Sequence, residues 1–250
     1  MQSQFYAPPL SPINKYILIT IGSFFLVDSV LQIAEVGSLI SWFSLTISGF
    51  TGGRVHTLFT YPLANKGLMS LLFDGLILWF IGSELELRWG RKTYLQFLLA
   101  SVLGAGLCYL VVGLLFFSSP VLLNMPFMGL TGFCYALLFA YGVIFAERQM
   151  VFMLLFPMKA KYFCLLLAGI ELYMGVFSPF GKAAWGHLAA MAVGFGFLRL
   201  KTYWLKQKSS KSFEPPHKRE KAKKGRANLY LVSGGDENKR PNPDDPKYWQ

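Results

Sequence analysis

Two residues of this sequence, Thr131 and His187, carry the groups that nucleophilic catalysis requires: a hydroxyl, and an imidazole that can act as its base. His187 lies beside a stripe of small residues that recur at every fourth position: Gly186, Ala190 and Gly194. Residues at this spacing share one face of a helix, and small side chains on that face let another helix approach closely. We therefore expect the imidazole at a tight contact between two helices.

A second stripe of small residues starts next to Thr131. Its members are Gly132, Ala136 and Ala140. If the two stripes pack against each other, the hydroxyl of Thr131 approaches the imidazole of His187, which is the arrangement of a catalytic dyad. The alternative is that Thr131 only caps the start of its helix and that His187 only makes a hydrogen bond inside a helix bundle.

The composition places these residues inside a membrane. The chain is 54% hydrophobic and only 15% charged, whereas soluble domains are about 25% charged. No Asp, Glu, Lys, Arg or His occurs between Lys92 and Glu147. At about 1.5 Å per residue, that stretch can cross a bilayer core of about 30 Å twice. The sequence predicts a multi-span membrane protein, and its net charge of +11 does not indicate nucleic-acid binding.

Six apolar segments are the predicted membrane spans: 15–34, 67–85, 93–117, 128–146, 162–178 and 184–202. The range 35–66 is also apolar, but several glycines and a proline interrupt it. A broken segment cannot satisfy its backbone groups across the hydrocarbon, so we expect a loop embedded in the membrane surface after the first helix. The predicted fold class is an all-α membrane protein, a bundle of six transmembrane helices.

Basic residues predict the topology. The loops 86–92 and 147–161 carry several Lys and Arg, and residues 201–250 contain 13 basic and 6 acidic side chains. By the positive-inside rule these regions are cytoplasmic, together with both termini. We expect a membrane domain over residues 1–204 and a basic, disordered cytoplasmic tail over residues 205–250. Such a tail would attract anionic lipid headgroups.

Ionisable side chains are costly in hydrocarbon, so those inside the predicted spans are candidates for function. They include three carboxylates: Asp28, Asp74 and Glu171. Asp28 and Glu171 could instead form hydrogen bonds between helices, and all three could line the ion pathway of a transporter or channel. No cluster of Cys, His or carboxylate residues has the spacing of metal ligands, so we expect no metal and no other cofactor.

Two further carboxylates, Glu84 and Glu86, lie at the end of the second predicted span. Arg88 and Arg91 follow within two helical turns. Exposed ion pairs are common where a helix leaves the membrane, so we expect these carboxylates to pair with the neighbouring arginines.

Several short motifs occur in a specific order along residues 55–200. Glu-Leu-Arg-Trp-Gly at 86–90 follows the second span, Gly-Leu-Thr-Gly at 129–132 begins the fourth, and Pro-Met-Lys-Ala-Lys-Tyr at 157–162 precedes the fifth. His187 and its stripe of small residues lie in the sixth. In this order and spacing the sequence resembles the rhomboid family of intramembrane serine proteases, which have a six-helix core and an embedded loop after the first helix.

The resemblance implies a role for each site position. The family's nucleophilic serine falls on Thr131, its partner histidine on His187, and the aromatic residue under this histidine on Tyr135. Two histidines and an asparagine of the family, of which the last two help to hold the oxyanion, fall on Asn65, Ser70 and Asp74. The supporting small residues are Gly129, Gly132, Gly186, Ala190 and Gly194.

The departures from the family pattern weaken the expected chemistry. Thr131 adds a γ-methyl group that restricts its rotamers, and Ser70 offers a donor on a shorter arm. An ionised Asp74 would repel the oxyanion, and loss of one oxyanion donor typically costs about 10²–10³ in rate. The prediction is a catalytically impaired pseudoprotease of the bacterial cytoplasmic membrane that binds transmembrane segments of client proteins. The alternative is an active endopeptidase with a Thr131–His187 dyad, its imidazole oriented by Asp74.

Overall fold

The computed structural model describes residues 9–116, 119–152, 156–178 and 181–212, and over these residues the chain is mostly helical. The helices are α1 (Pro12–Ile33), α2 (Ile40–Phe43), α3 (Ile47–Thr51), α4 (Thr57–Thr60), α5 (Leu68–Ile77), α6 (Ser83–Trp89), α7 (Arg91–Phe116), α8 (Pro120–Leu123), α9 (Thr131–Ile144), α10 (Ala160–Phe177) and α11 (Lys182–Ser212). A 3₁₀ turn, Tyr61–Leu63, follows α4, and a π-helical turn, Leu78–Gly82, joins α5 to α6. Two short antiparallel strands, β1 (Gln149–Phe152) and β2 (Phe156–Lys159), form a hairpin between α9 and α10.

Within the described residues, five helical segments are long and apolar enough to cross a membrane. They are Pro12–Ile33, Leu68–Trp89, Arg91–Phe116, Ala160–Phe177 and Lys182–Trp204. Each coincides with a predicted span to within a few residues. The fourth predicted span, 128–146, contains only α9, which has 14 residues. The chain is an integral multi-pass membrane protein, in which helices long enough to span match five of the six predicted spans, and the count of six stays a prediction.

The centre of the protein forms where α7 packs against α9. Phe97 of α7 and Phe133 of α9 are almost fully buried, and their ring centroids lie 6.1 Å apart. The ring of Phe197 from α11 packs edge to face on Phe97 at 5.7 Å. Lipid removes most of the hydrophobic drive for helices to associate, so close van der Waals contacts of this kind must hold the helices together.

The loop between α1 and α5 has no helix long enough to cross a membrane, as its glycines and proline predicted, and it is folded into three short helices. It is fastened at two points. The carboxylate of Asp28, at the end of α1, accepts a hydrogen bond from the backbone N–H of Leu39 at 2.7 Å. Near the other end of the loop, the hydroxyl of Tyr61 donates to the carbonyl of Val102 on α7 at 2.8 Å. Asp28 therefore holds the loop in place, and among the described residues none of its hydrogen bonds joins it to another spanning helix.

The ion pairs predicted for Glu84 and Glu86 with the neighbouring arginines were wrong. Glu86 is only 2% exposed, and it accepts hydrogen bonds from the hydroxyl of Ser11 and from the backbone N–H of Ile13, the latter at 3.2 Å. Glu84 pairs with Arg148, whose Nη1 lies 2.6 Å from Oε1. The free N–H groups and positive dipole at the start of α1 stabilise a buried carboxylate better than a solvated arginine on its own helix can.

The chain divides into two compact units, residues 1–206 and residues 207–250. The first unit contains all the predicted spans and the candidate site. Helix α11 continues to Ser212, into the range expected to form the tail. Residues 213–250 lie outside the described residues, so the disorder of the tail and its attraction to anionic lipid stay predictions.

Candidate active site

A glycine turn positions the start of α9. Gly129 has a φ of +87°, a backbone conformation that favours glycine. Its N–H donates to the carbonyl of Tyr61 at 3.0 Å, which ties the turn to the loop between α1 and α5. Helix α9 begins two residues later at Thr131. The Gly-Leu-Thr-Gly motif thus places the threonine hydroxyl on the first turn of a buried helix.

The two stripes of small residues pack against each other as predicted. A Cβ on Gly132 would lie 3.5 Å from Cδ2 of His187 and 3.9 Å from the Cβ of Ala190. One turn further along, a Cβ on Gly194 would lie 3.4 Å from that of Ala136. Helices α9 and α11 therefore run side by side in the same direction, with His187 next to the residue that follows Thr131.

The hydroxyl and the imidazole are each hydrogen-bonded to a carboxylate. Thr131 donates from Oγ1 to Oδ2 of Asp74 at 3.1 Å. Nδ1 of His187 lies 3.2 Å from Oε2 of Glu171. In the described part of the chain no hydrogen bond joins Thr131 to His187. The site therefore contains two neighbouring hydrogen-bonded pairs, each with one carboxylate: Thr131–Asp74 and His187–Glu171.

Aromatic rings fix the plane of His187. The ring of Tyr135 lies 5.2 Å from the imidazole, tilted by 34°, where the sequence resemblance placed an aromatic residue. The ring of Phe127 lies on another side at 5.7 Å.

The three positions that resemble oxyanion positions occupy the start of α5 and the turn before it. Asn65 is 5% exposed, and its carbonyl oxygen accepts from the N–H of Gly67 at 3.5 Å. Its Nδ2 is buried without a hydrogen-bond partner. Ser70 is half-buried on the first turn of α5, and Asp74 is buried one turn further along, beside Thr131.

The sequence singles out Glu171 as a candidate functional residue but does not identify His187 as its partner. Asp74 had been considered as the group that orients the imidazole, yet it is Glu171 that contacts Nδ1 of His187. The sequence does contain a signal for the pairing of Glu171 with His187. Only a few residues separate α10 from α11, so the two helices must be antiparallel neighbours, and residues 171 and 187 lie at similar distances from the turn.

Metal ligation has no support in the described residues, which include no group of three or more His, Cys, Asp or Glu side chains able to hold a metal ion. The site instead consists of a half-buried hydroxyl and imidazole together with the buried amide of Asn65 and the buried carboxylates of Asp74 and Glu171. This combination defines a polytopic membrane protein with a polar site inside its helix bundle.

Comparison with known families identifies the chain more closely. The family model described as the Rhomboid domain matches residues 52–203, which is more than half of the sequence. The chain belongs to the rhomboid family, and the matched range agrees with the extent of the resemblance seen in the motifs. No curated protein matches the chain.

Proposed function

We propose that this rhomboid-family protein is a pseudoprotease that binds transmembrane segments of client proteins without cleaving them. The observation that supports this most directly is the 3.1 Å hydrogen bond from Thr131 Oγ1 to Asp74 Oδ2. It directs the hydroxyl proton towards a carboxylate and away from the imidazole that would have to accept it. A nucleophile held in this way is not activated by its base.

The position of Asp74 also opposes catalysis. A tetrahedral intermediate places negative charge beside the nucleophile, and preorganised donors must stabilise it. Asp74 lies beside Thr131 and is an acceptor when it is ionised. Loss of one oxyanion donor costs about 10²–10³ in rate, and a negative charge in its place adds repulsion to that loss.

Client binding would use the apolar faces beside the site. Helix α5 flanks α9 and exposes large apolar side chains, among them Met69 and Phe73, which are 67% and 61% exposed. A single-span helix can pack on this face within the bilayer.

The proposal treats α9 as the sixth helix of the transmembrane bundle, although it is shorter than the other five. Its 14 residues extend about 21 Å at about 1.5 Å per residue, which is shorter than a hydrocarbon core of about 30 Å. Most of its residues are buried against other helices. A central helix of this kind need not reach both surfaces, and its N-terminus with Thr131 then lies below the membrane surface.

We also propose that both ends of the membrane domain face the cytoplasm of a bacterial cell. Three contacts bring the relevant segments together: Ser11 with Glu86, Glu84 with Arg148, and Thr93 with Lys201. They place the start of α1, the two basic loops and the end of α11 at one end of the bundle. The positive-inside rule assigns that end to the cytoplasm.

The test restores the family residues. Thr131→Ser, Ser70→His and Asp74→Asn would be made singly and together and assayed on a model transmembrane substrate. We expect cleavage only from the triple variant, and His187→Ala in that background should abolish it. Cleavage by the unaltered chain would contradict the proposal. Photocrosslinking of the unaltered chain in membranes should capture single-span proteins, and a failure to do so would remove the client-binding part.

A second candidate function, an active endopeptidase with a threonine nucleophile, is favoured by one contact. Glu171 holds Nδ1 of His187 at 3.2 Å, which is how a triad carboxylate orients a catalytic imidazole. A fluorophosphonate probe distinguishes the two candidates. Labelling that is lost in both Thr131→Ala and His187→Ala would establish the endopeptidase, whereas absence of labelling agrees with the pseudoprotease.

A further inference from the structure

We infer that a groove between α9 and α11 binds an anionic phospholipid of the surrounding membrane. The groove has a volume of about 580 Å³, and its lining includes Val143, Phe195, Leu198, Arg199, Thr202 and Tyr203. It lies about 18 Å along α9 from the polar site, at about 1.5 Å per residue. The inference does not depend on whether that site cleaves peptides.

The groove follows from the way the two helices separate. Near the polar site the small residues hold them together, and a Cβ on Gly194 would contact that of Ala136 at 3.4 Å. One residue later Phe195 meets Phe139 edge to face, with centroids 6.0 Å apart, and the two rings keep the helices further apart. Helix α9 then ends at Ile144 while α11 continues. Beyond the rings, the described residues leave α11 partly uncovered, and Leu200 is 63% exposed.

The groove combines apolar and polar lining residues, as a phospholipid combines acyl chains with a headgroup. Phe195 lies at the end of the groove nearer the polar site, and Val143 and Leu198 add apolar surface. Arg199 and Tyr203 lie towards the end of the bundle, and Tyr203 is 63% exposed. Exposed tyrosine and tryptophan mark the level where acyl chains meet headgroups, and Trp204 follows with 71% exposure. The guanidinium of Arg199 in the groove therefore lies at the depth of the lipid headgroups.

Charge complementarity selects an anionic headgroup. Among the ion pairs of the described residues none involves Arg199. Its guanidinium stacks over the ring of Phe195 at 5.0 Å, which holds it in one orientation beside the groove. The neighbouring Lys201 is used elsewhere, because its Nζ bonds the hydroxyl of Thr93. A guanidinium fixed in this way can bind a phosphate through two hydrogen bonds, and basic pockets between spans bind anionic lipids.

Native mass spectrometry of the full chain in detergent tests the inference, with dioleoyl phosphatidylglycerol and dioleoyl phosphatidylcholine as the two probes. We expect tighter binding of phosphatidylglycerol. Arg199→Gln should weaken that binding about fivefold and leave phosphatidylcholine unchanged. Arg91→Gln is the matched control, since Arg91 is exposed at the same end of the bundle and does not line the groove. Equal affinity for both lipids, or equal losses in the two variants, would overturn the inference.

Photocrosslinking identifies the occupant directly. Benzoylphenylalanine would replace Leu198 in the groove or, as a control, Leu172, which is 50% exposed on α10. In membranes with equal amounts of the two lipids, the ratio of phosphatidylglycerol to phosphatidylcholine adducts should be higher at 198 than at 172. Equal ratios, or adducts at 198 with residues 207–250 of the chain or with a second protein, would contradict a lipid occupant.

Discussion

Gly186 lies so close to Phe127 that a methyl group on its Cα would be 2.7 Å from Cζ of the ring. The ring cannot easily move aside, because it stacks on Tyr109 with centroids 4.7 Å apart. The absence of a side chain at position 186 therefore lets α11 reach the segment before α9. His187 follows directly, so its place in the site depends on this contact.

Gly186→Ala should destabilise the protein by about 1–3 kcal/mol, the usual cost of forcing extra volume into a packed interior. Gly196→Ala is the control in the same helix, where an added Cβ would meet nothing within 4 Å. Alanine is the better helix former, so the control should be neutral or slightly stabilised. The measurement is the free energy of unfolding in mixed detergent micelles. Equal values for the two variants would refute the packing argument.

Thr131→Val keeps the shape of the side chain but removes the donor to Asp74. Leaving a buried acceptor unsatisfied should cost about 1–3 kcal/mol of unfolding free energy, whereas Thr131→Ser should cost less because the hydroxyl remains. The same Thr131→Val change in an Asp74→Leu background should have a smaller effect, since no carboxylate is left unpaired. A cost that does not depend on the residue at 74 would mean that the hydrogen bond contributes nothing.

Glu171→Ala removes the partner of the His187 Nδ1, so it should destabilise the protein by about 1–3 kcal/mol. Glu171→Gln retains one carbonyl oxygen that can accept from Nδ1, and it should lose less. Thermal unfolding in detergent would rank the three proteins. If the glutamine variant were as unstable as the alanine variant, the hydrogen bond from the imidazole would not be the source of stability.

The two carboxylates at the end of the second span should respond differently to removal. Glu86 is 2% exposed, and Glu86→Ala leaves buried donors on α1 without their acceptor, at a cost of about 1–3 kcal/mol. The side chains of Glu84 and Arg148 are 31% and 52% exposed, so Glu84→Ala should cost about 0–1 kcal/mol. Chemical unfolding of both variants gives the comparison. The reverse order would show that the exposed pair, not the helix-end contact, fastens this region.

The β1–β2 hairpin should have a pH dependence that comes from Glu147. Hydrogen bonds from Lys159 and Lys161 lower the pKa of this exposed carboxyl from 4.5 to about 2. A carboxyl with a lowered pKa stabilises the folded form above 4.5 and loses that contribution as the pH falls through about 2. The protection factors of the hairpin amides, corrected for the intrinsic exchange rate at each pH, should thus fall as the pH decreases over this range, and less so at high salt. Glu147→Gln should abolish the dependence; a variant that kept it would assign it to another group.

The spanning helices and the contact between α9 and α11 could be predicted because both depend on local patterns. An apolar run longer than the hydrocarbon core must be helical, whatever surrounds it. Small residues at every fourth position, such as Gly186 and Ala190, form a face that only another helix can cover. Both patterns are visible without knowing where any other segment lies.

The partners of the polar groups could not be predicted in the same way. The pairing of Glu86 with Ser11 depends on how α1 is rotated about its axis and how deep it lies. Helices that are apolar on all sides, as α7 is, carry no periodic pattern that fixes either quantity. The short connection between α10 and α11 did restrict Glu171 to the neighbourhood of His187, but the choice between Glu171 and Asp74 required coordinates.

The fastening of α1 has a consequence for biogenesis. Only Asn14, Ile21 and Asp28 of this helix are buried. At its start, the partner Glu86 comes 75 residues after Ser11, while at its end Leu39 comes 11 residues after Asp28. On the ribosome the first helix thus enters the bilayer long before its distant acceptor has been translated. Membrane insertion of α1 and its packing against the bundle are therefore separate events. The end near Asp28 can form its hydrogen bonds as soon as Leu39 has been translated. The start can form its contact with Glu86 only after the second span has been translated and inserted.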